Sequence, residues 1–110
     1  MGSQPLSVLQ GTLDLLVLRA LTWGTMHGYG IMRWIRQSAD GELEVEDAAL
    51  YPSLHRLEVR GLIEAEWGLS ENKRKARFYQ LTQAGRHELR LQEANWETYV
   101  RAVGRVLQPA

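Results

Sequence analysis

The sequence predicts a mostly helical α+β fold for this chain of 110 residues. Three segments with the 3.6-residue period of a helix come first, two alternating segments with the period of a strand follow, and a long helical segment ends the chain. A chain of this length can build one modest hydrophobic core, which partnering with a second copy would stabilise. The composition, 45% apolar and 24% charged, is that of an ordinary globular protein.

Several classes of protein are excluded by what the sequence lacks. There is no cysteine, which removes disulfides, thiolate metal sites and cysteine nucleophiles. The longest apolar run, residues 15–18, is far too short to cross a membrane, and the first residues lack the pattern of a signal peptide. We therefore expect a cytoplasmic protein.

The first helix is predicted from an apolar stripe that ends before Gly24. Ser7 and Gln10 have the spacing of a capping box at its start. Val8, Leu15 and Leu18 make the other flank apolar as well, so we expect the helix to be covered on two sides, the second cover being another subunit. The stripe itself consists of Leu9, Leu13, Leu16, Val17, Ala20 and Leu21.

Two further helices are predicted before the chain changes its period. The second covers residues 28–38, and a short alternating stretch at residues 43–45 is at most a minimal strand. The third covers residues 47–60 and turns its leucines inward. Pro52 lies inside it, about one turn from its start, and predicts a distorted first turn.

Residues 62–69 and 77–81 alternate like strands around the polar loop 70–75, which predicts a β-hairpin. The last helix starts at Thr82 or Gln83 and runs to Leu107 with coiled-coil-like apolar spacing. This order of elements is that of a winged helix-turn-helix with an added C-terminal helix. We assign residues 1–82 to the winged unit and 83–110 to a dimerisation helix, both within one integrated domain.

The loop of the hairpin predicts an anionic partner. Four positive charges fall within five residues, at Lys73, Arg74, Lys75 and Arg77. A solvated turn is the alternative interpretation. Because clustered charges repel one another, and because a hairpin placed after three helices is the wing of a winged helix, binding to nucleic-acid phosphates is favoured.

The third helix is the predicted reader of base edges, because a helix enters the major groove with its first turns deepest. Tyr51 has an alternative role in the core. The residues of this helix predicted to contact DNA are Ala49, Tyr51, Ser53, His55 and Arg56.

No catalytic constellation is present. The three histidines lack zinc-ligand spacing, and no serine is flanked by the glycines of a nucleophile elbow. Gly28 and Gly30 lack the third glycine and the preceding strand of a dinucleotide site. His27 either caps the helix that follows it or touches a phosphate. We expect no enzyme activity, no metal and no cofactor.

Trp96 has two interpretations on the final helix. It either packs in the core of a dimer, or two copies form walls that stack a planar aromatic ligand. Trp23, Trp34 and Trp67 are expected in the core. The predicted dimer interface consists of Leu15, Leu18, Leu89, Trp96, Tyr99, Val100, Val103 and Leu107.

The formal net charge of zero conceals segregated patches. Residues 40–47 hold five acids and no base, whereas residues 53–90 hold eight bases and five acids. The neutral total therefore does not argue against DNA binding.

Six strings occur in order along the chain and together resemble the PadR family of bacterial transcriptional regulators, in its short class with one C-terminal helix. The resemblance implies a homodimeric winged-helix repressor that binds a two-fold-related operator, with Trp96 where a drug-binding member stacks planar drugs. One departure is Ala48-Ala49, where the family often has glycine followed by threonine or serine. The strings are residues 11–13, 27–31, 50–54, 56–58, 61–63 and 79–85.

The predicted function is a sequence-specific DNA-binding repressor that acts as a homodimer on a near-palindromic operator and is relieved by a planar aromatic ligand. The alternative is a winged-helix module that binds proteins and never contacts DNA, since fold alone does not settle function.

Overall fold

The structure, a computed structural model, describes residues 4–9 and 11–109. It confirms the predicted mostly helical α+β class, with three helices, a hairpin and a long last helix in that order. The elements are β1 (Leu6–Ser7), α1 (Leu13–Ala20), a 3₁₀ turn (Leu21–Trp23), β2 (Met26–His27), α2 (Gly28–Ser38), β3 (Leu43–Glu44), α3 (Asp47–Val59), β4 (Ile63–Leu69), β5 (Lys75–Leu81) and α4 (Gln83–Leu107).

The hydrophobic core lies between α1, α2 and α3 and extends to the base of the hairpin. Leucine, isoleucine and valine side chains of all three helices are fully buried there. α3 runs from Asp47 to Val59 without interruption, with Pro52 inside it. The predicted distortion therefore does not break the helix, although Pro52 has no N–H to give to the Ala48 carbonyl.

β2 adds to the hairpin a short third strand that the sequence pattern did not predict. It pairs antiparallel with β5, which places Met26 opposite Tyr79 and His27 opposite Phe78. Gly24 precedes it with φ +135°, a conformation that residues with a side chain rarely adopt. Two residues are too few to show an alternating pattern, so only the tertiary pairing reveals this strand.

The predicted start of the first helix was wrong. Ser7 lies in β1, which pairs parallel with β3 so that Ser7 lies opposite Glu44. The helix begins six residues later at Leu13, and Leu9 is exposed. Gln10, the other half of the predicted capping box, lies outside the described residues.

α4 begins at the base of the wing and continues beyond the core. The Thr82 hydroxyl caps it by accepting the N–H of Gly85 at 3.0 Å. Leu89 is buried, whereas the apolar residues of the second half, from Trp96 onward, are largely exposed. The helix therefore packs through its first turns and leaves its second half uncovered.

Four predicted side-chain positions need correction. Leu18 and Leu89, predicted in a dimer interface, are 0% and 4% exposed and belong to the core of a single chain. Trp23 and Trp67, predicted in the core, are exposed. Periodicity identifies an apolar face but does not say whether that face meets the core, a partner or solvent.

Across residues 4–9 and 11–109, no helix is long and apolar enough to cross a membrane. The same part of the chain holds no cluster of histidine and acidic residues that could bind a metal ion.

Candidate nucleic-acid interface

The tip of the wing carries its positive charge on an ordered turn. The turn is closed by a hydrogen bond of 2.8 Å from the Ser70 N–H to the Arg74 carbonyl. Lys73 has φ +59° at the turn, a left-handed conformation. Lys73, Arg74 and Lys75 are all exposed, so their charges are open to a partner.

Arg77 differs from the other three basic residues of the wing because it is held by the protein. Its guanidinium donates to the carboxylate of Glu58 on α3, with a shortest distance of 2.9 Å, and lies 6.0 Å from the centre of the Tyr79 ring. Burial raises the pKa of Tyr79, which keeps that phenol neutral. Arg77 thereby ties the wing to α3 and has less free charge to offer a phosphate.

The exposed face of α3 includes most of the residues predicted to contact DNA. Ala49, Tyr51, His55 and Arg56 are exposed. Ser53 is an exception, and its predicted contact with DNA was wrong. Its side chain is 0% exposed, and its hydroxyl donates to the carboxylate of Asp14 on α1.

Asp14 also holds Arg56. One carboxylate oxygen accepts from Arg56 Nη2 at 2.8 Å and the other accepts from Nε at 3.4 Å. The hydrogen bond and charge of Asp14 raise the pKa of Arg56. Arg56 is therefore a fixed, fully charged group at one edge of α3.

Tyr51 lies at the opposite edge of α3, against the start of α2. A Cβ atom added to Gly28 would lie 2.9 Å from the Tyr51 hydroxyl oxygen, so a larger residue there would displace the Tyr51 ring. His27 caps α2 by accepting the N–H of Gly30 at its Nδ1 atom, at 3.0 Å. This confirms the capping interpretation of His27.

A cleft of about 650 Å³ separates the start of α2 from the inner face of the wing. We call it the basic cleft and define it by Tyr29, Arg33, Tyr51, Trp67, Lys75 and Arg77. Its cations stack on its aromatic rings, with Lys75 Nζ 5.0 Å from the Trp67 ring centre and Arg33 5.4 Å from that of Tyr29. The arrangement presents positive charge beside exposed aromatic surface.

Sequence reasoning missed Tyr29, Arg33 and Trp67 as members of this cleft. Arg33 showed one signal, its outward position on the second helix. Nothing in the sequence showed that α2 lies across from the wing, because that placement depends on the pairing of β2 with β5.

A second concavity, apolar and about 480 Å³ in volume, lies between β1, α1 and α4. We call it the apolar groove and define it by Leu6, Val8, Leu9, Leu15, Leu16 and Trp96. Arg19 and Glu93 also line it and form an ion pair of 3.5 Å. The Trp96 ring stacks near Tyr99, with ring centres 6.2 Å apart.

The comparison with known families identifies the chain. The model of the Transcriptional regulator PadR-like family matches residues 17–91. The chain belongs to the PadR-like family of transcriptional regulators. The match begins inside α1 and covers α2, α3, the wing and the start of α4, so this PadR-like protein is a transcriptional regulator by family.

Solved structures agree with this PadR-like assignment. A transcriptional regulator from Clostridium thermocellum is 26% identical with a TM-score of 0.82, over 90% of this chain and 96% of that one. A PadR family transcriptional regulator from Eggerthella lenta is 34% identical with a TM-score of 0.75, over 92% and 86% of the two chains.

A third matching structure contains nucleic acid. Bacillus subtilis PadR, solved in complex with operator DNA, is 25% identical with a TM-score of 0.64, over 72% of this chain and 45% of that one. The likeness therefore covers less than half of the Bacillus subtilis protein.

Proposed function

We propose that this PadR-like protein is a repressor that binds a near-palindromic operator as a homodimer, with α3 in the major groove and the wing along the backbone. The observation that carries the proposal is the exposed positive charge of Lys73, Arg74 and Lys75 at the wing tip, where Arg74 and Lys75 line one cleft with Tyr51 of α3. The operator complex of Bacillus subtilis PadR supports it. Such a regulator acts in the cytoplasm, with the DNA.

The electrostatics of the wing fit phosphate rather than a protein partner. Three exposed cations on one turn repel one another, and phosphates that displace bound counterions relieve that repulsion. The basic cleft continues this charge through Arg74 and Lys75, which line it, whereas Arg33 on α2 forms an ion pair of 3.9 Å with Glu71. A backbone strand lying along the wing would follow this line of charge.

The wing is tested by the salt dependence of operator binding. Replacing Lys73, Arg74 and Lys75 together by alanine should reduce the slope of log affinity against log salt by roughly 0.9 for each phosphate that the protein no longer neutralises. Fluorescence anisotropy with a labelled operator, at several salt concentrations, measures this slope.

The matched control for the wing is Arg86→Ala with Arg90→Ala, which removes exposed positive charge from α4. This variant should keep the slope of the unaltered protein. An unchanged slope in the wing variant would exclude the wing from the interface. Failure to bind any fragment of the host promoter would favour the protein-interaction module instead.

The apolar groove supports a homodimer. The exposed half of α4 presents Trp96, Tyr99, Val100 and Leu107, which are between 40% and 76% exposed. Leaving this much contiguous apolar surface in water is unfavourable, and such patches mark interaction sites. We propose that this face and the neighbouring groove pack against those of a second copy.

Trp96 also supports a ligand site, since it lines the apolar groove and stacks near Tyr99. We propose that a planar aromatic ligand stacks between the two copies of Trp96 in the dimer and releases the operator. A planar cationic dye should quench tryptophan fluorescence, and Trp96→Ala should abolish the effect.

The matched control is Trp23→Phe, which removes an exposed tryptophan outside the groove and should leave the dye titration unchanged. Quenching that survives in Trp96→Ala would remove Trp96 from the site.

A further inference from the structure

The first half of α3 presents an almost apolar surface where the proposed function places the bases. Ala48, Ala49 and Pro52 are all exposed there. A recognition helix is expected to carry side chains that form hydrogen bonds to base edges, yet these three side chains have no donor or acceptor. The chemistry of this surface limits what it can recognise, and the inference rests on the proposed binding of DNA through α3.

Helical geometry shows how these side chains are arranged. Residues 48 and 52 lie one turn apart, opposite the buried face formed by Leu50 and Leu54, and His55 continues the same strip. Tyr51 borders the strip on the wing side. On the other side lie Ala49 and Arg56, whose guanidinium is bound by Asp14.

The polar side chains beside the apolar strip have a limited choice of base partners, partly because Arg56 already forms hydrogen bonds within the protein. Asp14 accepts from Nε and Nη2 of Arg56, which is one of the edges that can form a bidentate pair with guanine. Glu46 and Asp47 lie at the first turn and can only accept hydrogen bonds, which leaves cytosine as their base partner. Glu46 and Arg56 line a shallow cavity together with Ala48, Ala49 and Pro52, so they border the apolar strip.

The chemistry of the major groove leaves one good match to the strip. The thymine C5-methyl is the apolar group that base pairs present there, and alanine-like surfaces contact it. A guanine or cytosine edge placed on the strip would lose water without gaining a hydrogen bond, which is unfavourable.

We propose that Ala48, Ala49 and Pro52 recognise thymine methyl groups, so that each operator half-site places thymines against the first half of α3. Specificity at these base pairs then comes from apolar contact and from rejection of polar edges. Tyr51, His55 and Arg56 then contact the bases or phosphates of the flanking nucleotides.

Replacing thymine by deoxyuridine tests the proposal, because it removes the methyl group and keeps the pairing edge. Operator fragments selected from host DNA are remade with deoxyuridine at one thymine position per half-site, and binding is measured by fluorescence anisotropy. Removal of one buried methyl corresponds to roughly a fourfold weaker affinity, and removal from both half-sites to roughly fifteenfold. The effect should be confined to the positions that face α3.

Two variants locate the contact on the protein. Pro52→Ala removes ring atoms from the strip and suits a helix, so it should fold and should lower the ratio of thymine to deoxyuridine affinity. Val59→Ala, an equally apolar change at the far end of the same helix, should keep that ratio. An unchanged ratio in Pro52→Ala would overturn the assignment to this surface.

Methyl recognition and operator binding can fail separately. Equal binding of the thymine and deoxyuridine operators at every position would overturn methyl recognition while leaving operator binding intact. Failure of the protein to bind any duplex would overturn both the proposed function and this inference.

Discussion

Asp14 joins two helices through one carboxylate. It lies on α1 and accepts hydrogen bonds from Ser53 and Arg56 on α3. The sequence predicts that Ser53 contacts DNA. Its hydroxyl is buried instead, and a buried hydroxyl needs a hydrogen-bond acceptor inside the protein. The sequence does not reveal this pairing, because the partners are 39 residues apart.

For this hydrogen bond we predict that removing the acceptor, Asp14, lowers the free energy of unfolding more than removing the donor, Ser53. Ser53→Ala should lower the free energy of unfolding by about 1 kcal/mol, the net value of a typical hydrogen bond. Asp14→Ala should lower it by about 1–3 kcal/mol, because the Ser53 hydroxyl is then buried without an acceptor. Urea unfolding at one fixed protein concentration measures both changes.

The double variant provides the control, since Asp14→Ala with Ser53→Ala leaves no hydroxyl without a partner. It should be no less stable than Asp14→Ala alone. Independent, additive losses of stability in the double variant would show that the two side chains do not interact.

In the wing, the alternation of apolar and polar residues predicts the strands but not which of their apolar side chains are buried. The two predicted strands and the turn between them are present, because aromatic and β-branched residues favour strands and polar residues favour turns. The second strand begins at Lys75, two residues earlier than predicted. Alternation also grouped Ile63 with Trp67 on one face. Only Ile63 is buried, because the strand extends beyond the core before it reaches Trp67.

α4 depends on one glycine for its position on the rest of the fold. A Cβ atom at Gly85 would overlap the backbone carbonyl oxygen of Leu62, in the turn between α3 and β4. That carbonyl also accepts the N–H of Thr82 at 3.1 Å, so it cannot move without disturbing the start of the helix.

We therefore predict that Gly85→Ala destabilises the protein by about 1–3 kcal/mol or more, as expected for overpacking against fixed atoms. Thermal or urea unfolding followed by circular dichroism measures the change.

Gly104→Ala is the matched control on the same helix. A Cβ atom there meets nothing within 4 Å. Both substitutions are measured in the monomeric Val100→Glu background, because residue 104 lies between Val100 and Leu107 on the proposed dimer face. There Gly104→Ala should stabilise the chain by about 0.5–1 kcal/mol, since alanine favours a helix over glycine. Equal effects of the two substitutions would contradict the role assigned to Gly85.

The molecule as a whole is less compact than its length predicts. Its radius of gyration is 15.4 Å, whereas a compact domain of this size has about 13 Å. The cause is α4, whose 25 residues extend about 37 Å at the rise of an α-helix. The second half of that length carries apolar side chains that are largely exposed within the described part of the chain.

We predict that the protein sediments as a dimer with twice its mass of 12.6 kDa. Val100→Glu should shift it to the monomer and weaken operator binding, because a charge placed in an apolar interface is costly to desolvate. Analytical ultracentrifugation measures the first effect and anisotropy the second.

Leu69→Glu makes the same kind of change at an exposed leucine on the wing and should leave the dimer intact. A dimer that persists in Val100→Glu, or an unaltered protein that sediments as a monomer, would contradict the proposed interface.

The sequence by itself determined the order of the long elements, the hairpin and its charge, and the family. These properties depend on local periodicity, turn chemistry and short strings of residues, all of which are present before the chain folds. The ends of α2 and α4 lie within a residue of their predicted positions for the same reason.

Tertiary structure alone decided which faces are buried and which groups meet. It placed Leu18 and Leu89 in the core of one chain and paired Ser53 with Asp14. It also brought the start of α2 opposite the wing through a strand of two residues. Such outcomes depend on contacts between segments far apart in the chain, and the physical reason they escape prediction is that an apolar or polar side chain acquires its partner only when those segments pack together.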